Sequence, residues 1–228
     1  ADKRNGRRAP VTGSMVARLM ESVGIDHLLT VDLHAPQIEG FFTIPVDSVT
    51  AILSLCNTLQ KDLSEEAVIV SPDEGRVKMA SEFARILRRP LVLLHKERLN
   101  GSAARITHVV GDVQDRPCVI IDDMISTGNT IAQAVEALLK EGAQPSIRVA
   151  ATHGLFVNTA RERLTGCGIR QIFVSDSIPT NEHHWRELGV ISLAPILAGA
   201  VYRLQSGESL GDLYKHVIHG GMERILTS

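Results

Sequence analysis

The sequence predicts an α/β fold, a parallel β-sheet flanked by helices. Three observations carry this expectation. Short apolar runs alternate with stretches of helical periodicity, the pattern of parallel strands joined by crossover helices. Several runs are apolar at every residue rather than every second one, as in strands covered on both faces. Charged and polar residues then gather where the runs stop: His34, Asp73, Lys96, Asp122 and Asp123 all fall at predicted strand ends. Ligands of such sheets bind outside the carboxyl ends of the strands, so five residues of this chemistry mark a candidate site.

In chain order, the basic, non-periodic segment ADKRNGRRAP reads as a solvated arm or as a strip facing a polyphosphate. Val16, Leu19, Met20 and Val23 make a helical stripe, and His27 to Leu33 a strand that runs into His34, Ala35 and Pro36. Val49, Ile52, Leu53 and Cys56 mark the next helix. Ala67 to Val70 is a strand closed by Ser71, Pro72, Asp73, Glu74 and Gly75, after which Ala80, Phe83, Ala84 and Leu87 recur at helical spacing. Leu91 to Leu94 is a strand that leads into His95, Lys96, Glu97 and Arg98. Leu99 to Arg105 carries Gly and Ser without periodicity, which suits a mobile loop or an ordinary connector. Val109 to Val113, Cys118 to Ile121, Ile147 to Ala151, Ile172 to Val174 and Val190 to Leu193 read as further strands. Leu197, Ala200, Val201 and Leu204 form a late helix.

A chain of 228 residues can bury a good core. Its net charge of -2 supplies no basic footprint for nucleic acid. Cys56, Cys118 and Cys167 lie far apart with no CxxC pair, which points to small core residues in a reducing compartment. Neither a membrane-spanning run nor a signal peptide is evident, so a soluble, cytoplasmic protein is expected, with no membrane partner.

The stretch Cys118 to Thr130 (CVIIDDMISTGNT) carries the most chemistry. An apolar strand ends in two acids and a Ser/Thr/Gly loop, and a helical run with Ile131, Ala134, Val135, Leu138 and Leu139 continues to a stop at Gly142. Loop amides and the first N–H groups of such a helix make an anion site, most naturally for phosphate. Asp122 and Asp123 beside it can accept hydrogen bonds from sugar hydroxyls or reach a metal. Phosphate with polyol means a sugar phosphate. Neither GxxxxGK[ST] nor GxGxxG occurs, so no Walker-type or dinucleotide site is supported.

This strand, acid pair and Ser126-Thr127-Gly128-Asn129-Thr130 loop resembles the signature of the type I phosphoribosyltransferase fold, which cradles a ribose 5-phosphate group. Taken with VDLHAPQIEGFFTIPVD from Val31, IVSPDEG from Ile69, HKER from His95 and VVGDV from Val109, the chain resembles the ribose-phosphate pyrophosphokinase family. The resemblance implies two phosphoribosyltransferase-like domains, the first cut short: residues 1–54 as its remnant and 55–228 as the C-terminal domain. It implies a reaction of ATP with ribose 5-phosphate, dependent on Mg2+, that gives AMP and phosphoribosyl pyrophosphate. It also implies a homo-oligomer, dimers grouped into hexamers.

Roles follow from the same resemblance. Lys96 and Arg98 match the basic pair at the transferring group, and Leu99 to Arg105 the flexible catalytic loop. Asp122 and Asp123 match the ribose-binding acids, and Ser126, Thr127, Gly128, Asn129 and Thr130 the 5-phosphate cradle. His34 and Asp73 match positions near the Mg2+-nucleotide, and Lys3 and Arg8 a segment lining the ATP site. The sequence departs from the pattern at Glu74 and Arg76, where small residues are commoner, at Met79 in place of a basic residue, and at Ser126 in place of an acid. Two other readings stay open: a non-catalytic relative that regulates true synthetases by co-assembly, and a phosphoribosyltransferase that consumes the product with a base.

Overall fold

The computed structural model describes residues 11–97, 105–180, 185–211 and 213. The chain divides into two compact units, Ala1–Thr50 and Ala51–Ser228. Position 54, the domain boundary read from sequence, lies within the helix that opens the second unit.

The first unit holds helix α1 (Thr12–Ser22) and two short parallel strands, β1 (Leu28–Val31) and β2 (Val46–Val49). A 3-10 turn at Pro36–Phe41, entered through a proline whose fixed φ suits a helix start, lies between the strands. The stripe on α1 forms the expected helix, yet Val16, Leu19 and Val23 are exposed and Ala17 is its buried residue. Val49, expected to begin a helix, instead ends β2, and its backbone carbonyl accepts from the Asp32 N–H at 3.1 Å.

Among its described residues the second unit holds one seven-stranded sheet and the helices that join its strands. Its elements are α2 (Ile52–Gln60), β3 (Val68–Ser71), α3 (Val77–Leu87), β4 (Leu91–Glu97), β5 (Arg105–Val110), β6 (Cys118–Ile125) and α4 (Asn129–Lys140). They continue with β7 (Arg148–Gly154), α5 (Ala160–Gly166), β8 (Gln171–Ser175), β9 (Leu188–Ile191) and α6 (Ala194–Ser206). The strand order is β5-β4-β3-β6-β7-β8-β9. All neighbours are parallel except β4 and β5.

That antiparallel edge corrects one expectation. The strand read as Val109 to Val113 is β5, Arg105–Val110, reached by a hairpin-like return from β4 rather than a crossover. Two further expectations change in extent: β4 runs on through Lys96 and β6 through Asp122 and Asp123, so these three lie in the last part of their strands rather than after them.

The core explains why the runs are apolar throughout. Val68, Val70, Cys118, Ile120, Val149, Ala151, Ile172 and Val174 come from the central strands, and Ile131, Ala134, Val135 and Leu138 from α4. Helix α3 buries Ala80, Phe83, Ala84 and Leu87, the spacing its sequence announced. Cys56 and Cys118 are fully buried, and burial pushes both thiols up to about 12, so they behave as inert core residues.

From β3 the chain crosses over to β4 on one side, whereas from β6 it crosses to β7 on the other. Right-handed crossovers then place α3 and α4 on opposite faces. The carboxyl ends of β3 and β6 therefore border the topological switch point, where open α/β sheets form a ligand crevice.

Candidate functional site

Strand β6 pairs with β3 only as far as Val70 opposite Ile120, but with β7 as far as Ile125 opposite Gly154. Beyond Ile120 its β3 side is therefore open, and Asp122 and Asp123 lie along that stretch. Both are buried. The Asp123 N–H donates to Asp122 Oδ1 at 2.9 Å, which ties the two together. Burial, foremost, and then the neighbouring Asp123 carboxyl push the Asp122 carboxyl well above the ordinary carboxylate range, while Arg76 opposes the shift.

The loop after β6 turns into α4 through Gly128, whose φ is +74°. A Cβ there would come within 3.0 Å of Leu164 Cγ, so the turn needs glycine for both torsion and space. No side chain caps the start of α4. Its first N–H groups lack intrahelical acceptors by the geometry of any helix. The loop is held from behind: the Val157 N–H donates to the Ser126 carbonyl at 3.0 Å, and Arg163 on α5 donates to the Thr127 carbonyl. Ser126, Thr127, Gly128, Asn129 and Thr130 thus form one turn, with Asn129 and Thr130 already in the helix.

Strand β3 feeds a second group of residues. Ser71 Oγ donates to the Asp73 carbonyl at 2.8 Å and fixes the start of a 3-10 turn, Glu74–Arg76. Three charged side chains of this short segment each meet a polar or charged side chain on a neighbouring strand. Asp73 Oδ2 lies 3.8 Å from Lys96 Nζ, and Glu74 Oε1 lies 2.7 Å from His95 Nδ1, both partners on β4. Arg76 Nη1 is 2.8 Å from Asp123 Oδ2, and its Nε is 3.4 Å from Asp122 Oδ1.

The structure thus brings Asp73, Lys96, Asp122, Asp123 and the loop 126–130 to the carboxyl end of one sheet. His34 follows β1 in the first unit and is exposed. Lys3, Arg8, Arg98 and the loop at 99–104 fall outside the described residues. Arg76, Glu74, His95 and Arg163 had no assigned part in the sequence reading. Arg76 and Glu74 stood out only as charges in an otherwise small-residue turn; nothing along the chain linked Arg163 to Thr127.

Among the described residues, no group of three or more His, Cys, Asp or Glu is arranged to hold a metal ion. No helix among them is long and apolar enough to cross a membrane.

Comparison with known proteins bears on this arrangement. The family model described as "Phosphoribosyl synthetase-associated domain" matches residues 102–215. The chain is 39% identical over 218 residues to a ribose-phosphate pyrophosphokinase of Corynebacterium glutamicum, covering 94% of this chain and 67% of that protein. It is 36% identical over 214 residues to the ribose-phosphate pyrophosphokinase of Aquifex aeolicus, covering 93% and 68%. The crystal structure of phosphoribosylpyrophosphate synthetase from Mycobacterium smegmatis superposes with a TM-score of 0.81 at 39% identity, over 90% of this chain and 67% of that one. The chain therefore spans about two thirds of such relatives, and its acid pair, glycine turn and open helix start are set in their fold. On this sequence and structural likeness, the chain belongs to the ribose-phosphate pyrophosphokinase family.

Proposed function

We propose that this chain transfers the pyrophosphoryl group of ATP to the 1-hydroxyl of ribose 5-phosphate, giving phosphoribosyl pyrophosphate and AMP. The observation that carries the reading is the switch-point crevice itself. Two buried carboxylates lead directly into an uncapped helix start, and a lysine and a third carboxylate stand on the adjoining strand ends.

The sugar phosphate divides between two parts of the site. Loop amides and hydroxyls of Ser126 to Thr130 take the 5-phosphate, helped by the partial positive charge at the start of α4. Asp122 and Asp123 accept hydrogen bonds from the ring hydroxyls and so orient the sugar. In the chemical step the 1-oxygen forms a bond to the β-phosphorus of ATP, and the bond from that phosphorus to the α-bridging oxygen breaks. AMP leaves, and the hydroxyl proton passes to solvent. Catalysis of such an in-line transfer is positioning and charge stabilisation. Lys96 supplies positive charge where negative charge grows in the transition state. Arg98 is assigned to the same group by resemblance alone.

Mg2+ suits the donor set. It characteristically takes one or two protein carboxylates and completes its shell with water and substrate phosphates. Asp73 offers a half-buried carboxylate already facing a cation, Lys96, so a hard oxygen donor is in place for it. When bound, Mg2+ would neutralise phosphate charge. His34 is assigned to the nucleotide and metal, and Lys3 and Arg8 to the nucleotide, by resemblance alone. A homo-oligomer, dimer or hexamer, is proposed on the same basis.

The test is AMP formation from ATP in the purified protein. AMP is expected only when ribose 5-phosphate and Mg2+ are both present; its absence under those conditions would reject the catalytic reading. A non-catalytic, co-assembling subunit is favoured by one observation, the Arg76 ion pairs across both sugar-binding acids. Inactivity in isolation, joined to co-purification with an active relative, would select that reading.

A further inference from the structure

The sugar-binding acids already have a tenant. Arg76 lays its guanidinium across them, 2.8 Å from Asp123 Oδ2 and 3.4 Å from Asp122 Oδ1. The pairing is partly desolvated: the Arg76 side chain is 21% exposed, and the carboxylates are 9% and 6% exposed. Charge-assisted hydrogen bonds of this kind are about twice as strong as neutral ones. A sugar hydroxyl is a neutral donor, so it must displace a stronger partner to reach the same oxygens.

Position makes Arg76 a competitor rather than a passive neighbour. Its backbone is pinned: its N–H donates to the Asp73 carbonyl at 3.3 Å, and it caps α3, whose buried face holds Ala80, Phe83, Ala84 and Leu87. Its side chain, by contrast, ends in the crevice and can leave by rotation about its own bonds. We infer that Arg76 is an internal occupant of the sugar-hydroxyl subsite and sets the affinity of this protein for ribose 5-phosphate by competing with the sugar's hydroxyls for Asp122 and Asp123. This rests on the sugar-phosphate reading of the site. It adds a residue, outside the acid pair and the phosphate loop, that tunes how readily the site fills.

The experiment is titration calorimetry of ribose 5-phosphate into the purified protein and its Arg76→Ala and Arg76→Lys variants, at pH 8.5, above the raised value of Asp122. Arg76→Ala is expected to tighten binding about tenfold or more, the scale of one displaced charge-assisted contact. Arg76→Lys is expected to fall between the two, because a point charge cannot span both carboxylates as a planar fork does. If the alanine variant does not fold, as a melting curve would reveal, Arg76→Gln keeps donors toward the buried acids and answers the same question. Equal or weaker binding in the folded neutral variant would overturn the inference and leave the sugar-phosphate reading standing. Absence of ribose 5-phosphate binding in all forms would overturn both. Titration with inorganic phosphate serves as the control: it probes the 126–130 cradle and is expected to change little between the forms.

Discussion

Lys96 on β4 and Asp123 on β6 lie on either side of β3, yet their substitutions should fail differently. In the proposed reaction Lys96 acts on the group where charge develops only in the transition state. Lys96→Ala is therefore expected to lower kcat by roughly 100-fold or more while calorimetry shows nearly unchanged ribose 5-phosphate binding. Unchanged turnover would remove Lys96 from the chemistry. Asp123→Ala removes the proposed acceptor for a sugar hydroxyl and should weaken ribose 5-phosphate binding by about tenfold to 100-fold, the range of a hydrogen bond to a charged group. Asp122 adds a pH effect. Its folded-state pKa is raised, chiefly by burial, so the unfolded chain releases that proton at lower pH than the native state does. The contribution of Asp122 to stability is thus full below the ordinary carboxylate value and declines as pH rises through the raised one. Asp122→Asn, which keeps an oxygen for Arg76, should flatten that decline. Its Tm is expected to exceed the wild-type value by a few degrees at alkaline pH, since about 1 kcal/mol moves Tm by roughly 2–4 °C in a protein of this size. The gap should close toward acid, and melting curves across pH would read it.

At the scale of elements, the proposed phosphate cradle depends on how β6 hands over to α4. Gly128 takes φ +74° with Leu164 of α5 packed against it, so the turn, the helix start and a neighbouring helix are one unit. Gly128→Ala would add about 1–2 kcal/mol of torsional strain and a contact that Leu164 must yield to. Lower Tm together with weaker inorganic phosphate binding is expected; a normal melting curve with normal phosphate affinity would show that the turn tolerates a side chain. The elements that escaped the sequence reading share a physical cause. Strand β2, VDSV, has too few apolar residues for a run, and α5, ARERLTG, is seven residues with Ala160 and Leu164 buried. Strand β5, read only from Val109 on, lies at the sheet edge, where polar Thr107 and His108 are tolerated and hide its first part. By contrast β3, β6 and β7 sit in the middle, are covered on both faces, and were plain to read.

For the whole molecule, the site is carried by a central sheet whose core is continuous from β4 to α5. Ile120 is fully buried in that core, two residues before Asp122. Ile120→Ala is expected to cost about 2–5 kcal/mol of stability, measured by denaturant unfolding. A small change would mean that the core collapses around the gap. The same framework accounts for where the charged residues fall along the chain: they gather at the carboxyl ends of the strands, and the reversal between β3 and β6 leaves the crevice open there.

By itself the sequence determined the sheet type, the central strands, the glycine loop after β6 and the acids beside it. These are local: apolar period, turn chemistry and a glycine torsion act over a few neighbouring residues. Only the tertiary structure decided that Arg76 reaches Asp122 and Asp123, that Asp73 faces Lys96, and that Arg163 holds the Thr127 carbonyl. Those pairs join residues far apart in the chain, and charge attracts across whatever distance the fold closes. The pattern of charges along the sequence names the candidates, but only the packing of β3, β4 and β6 into one sheet chooses the partners.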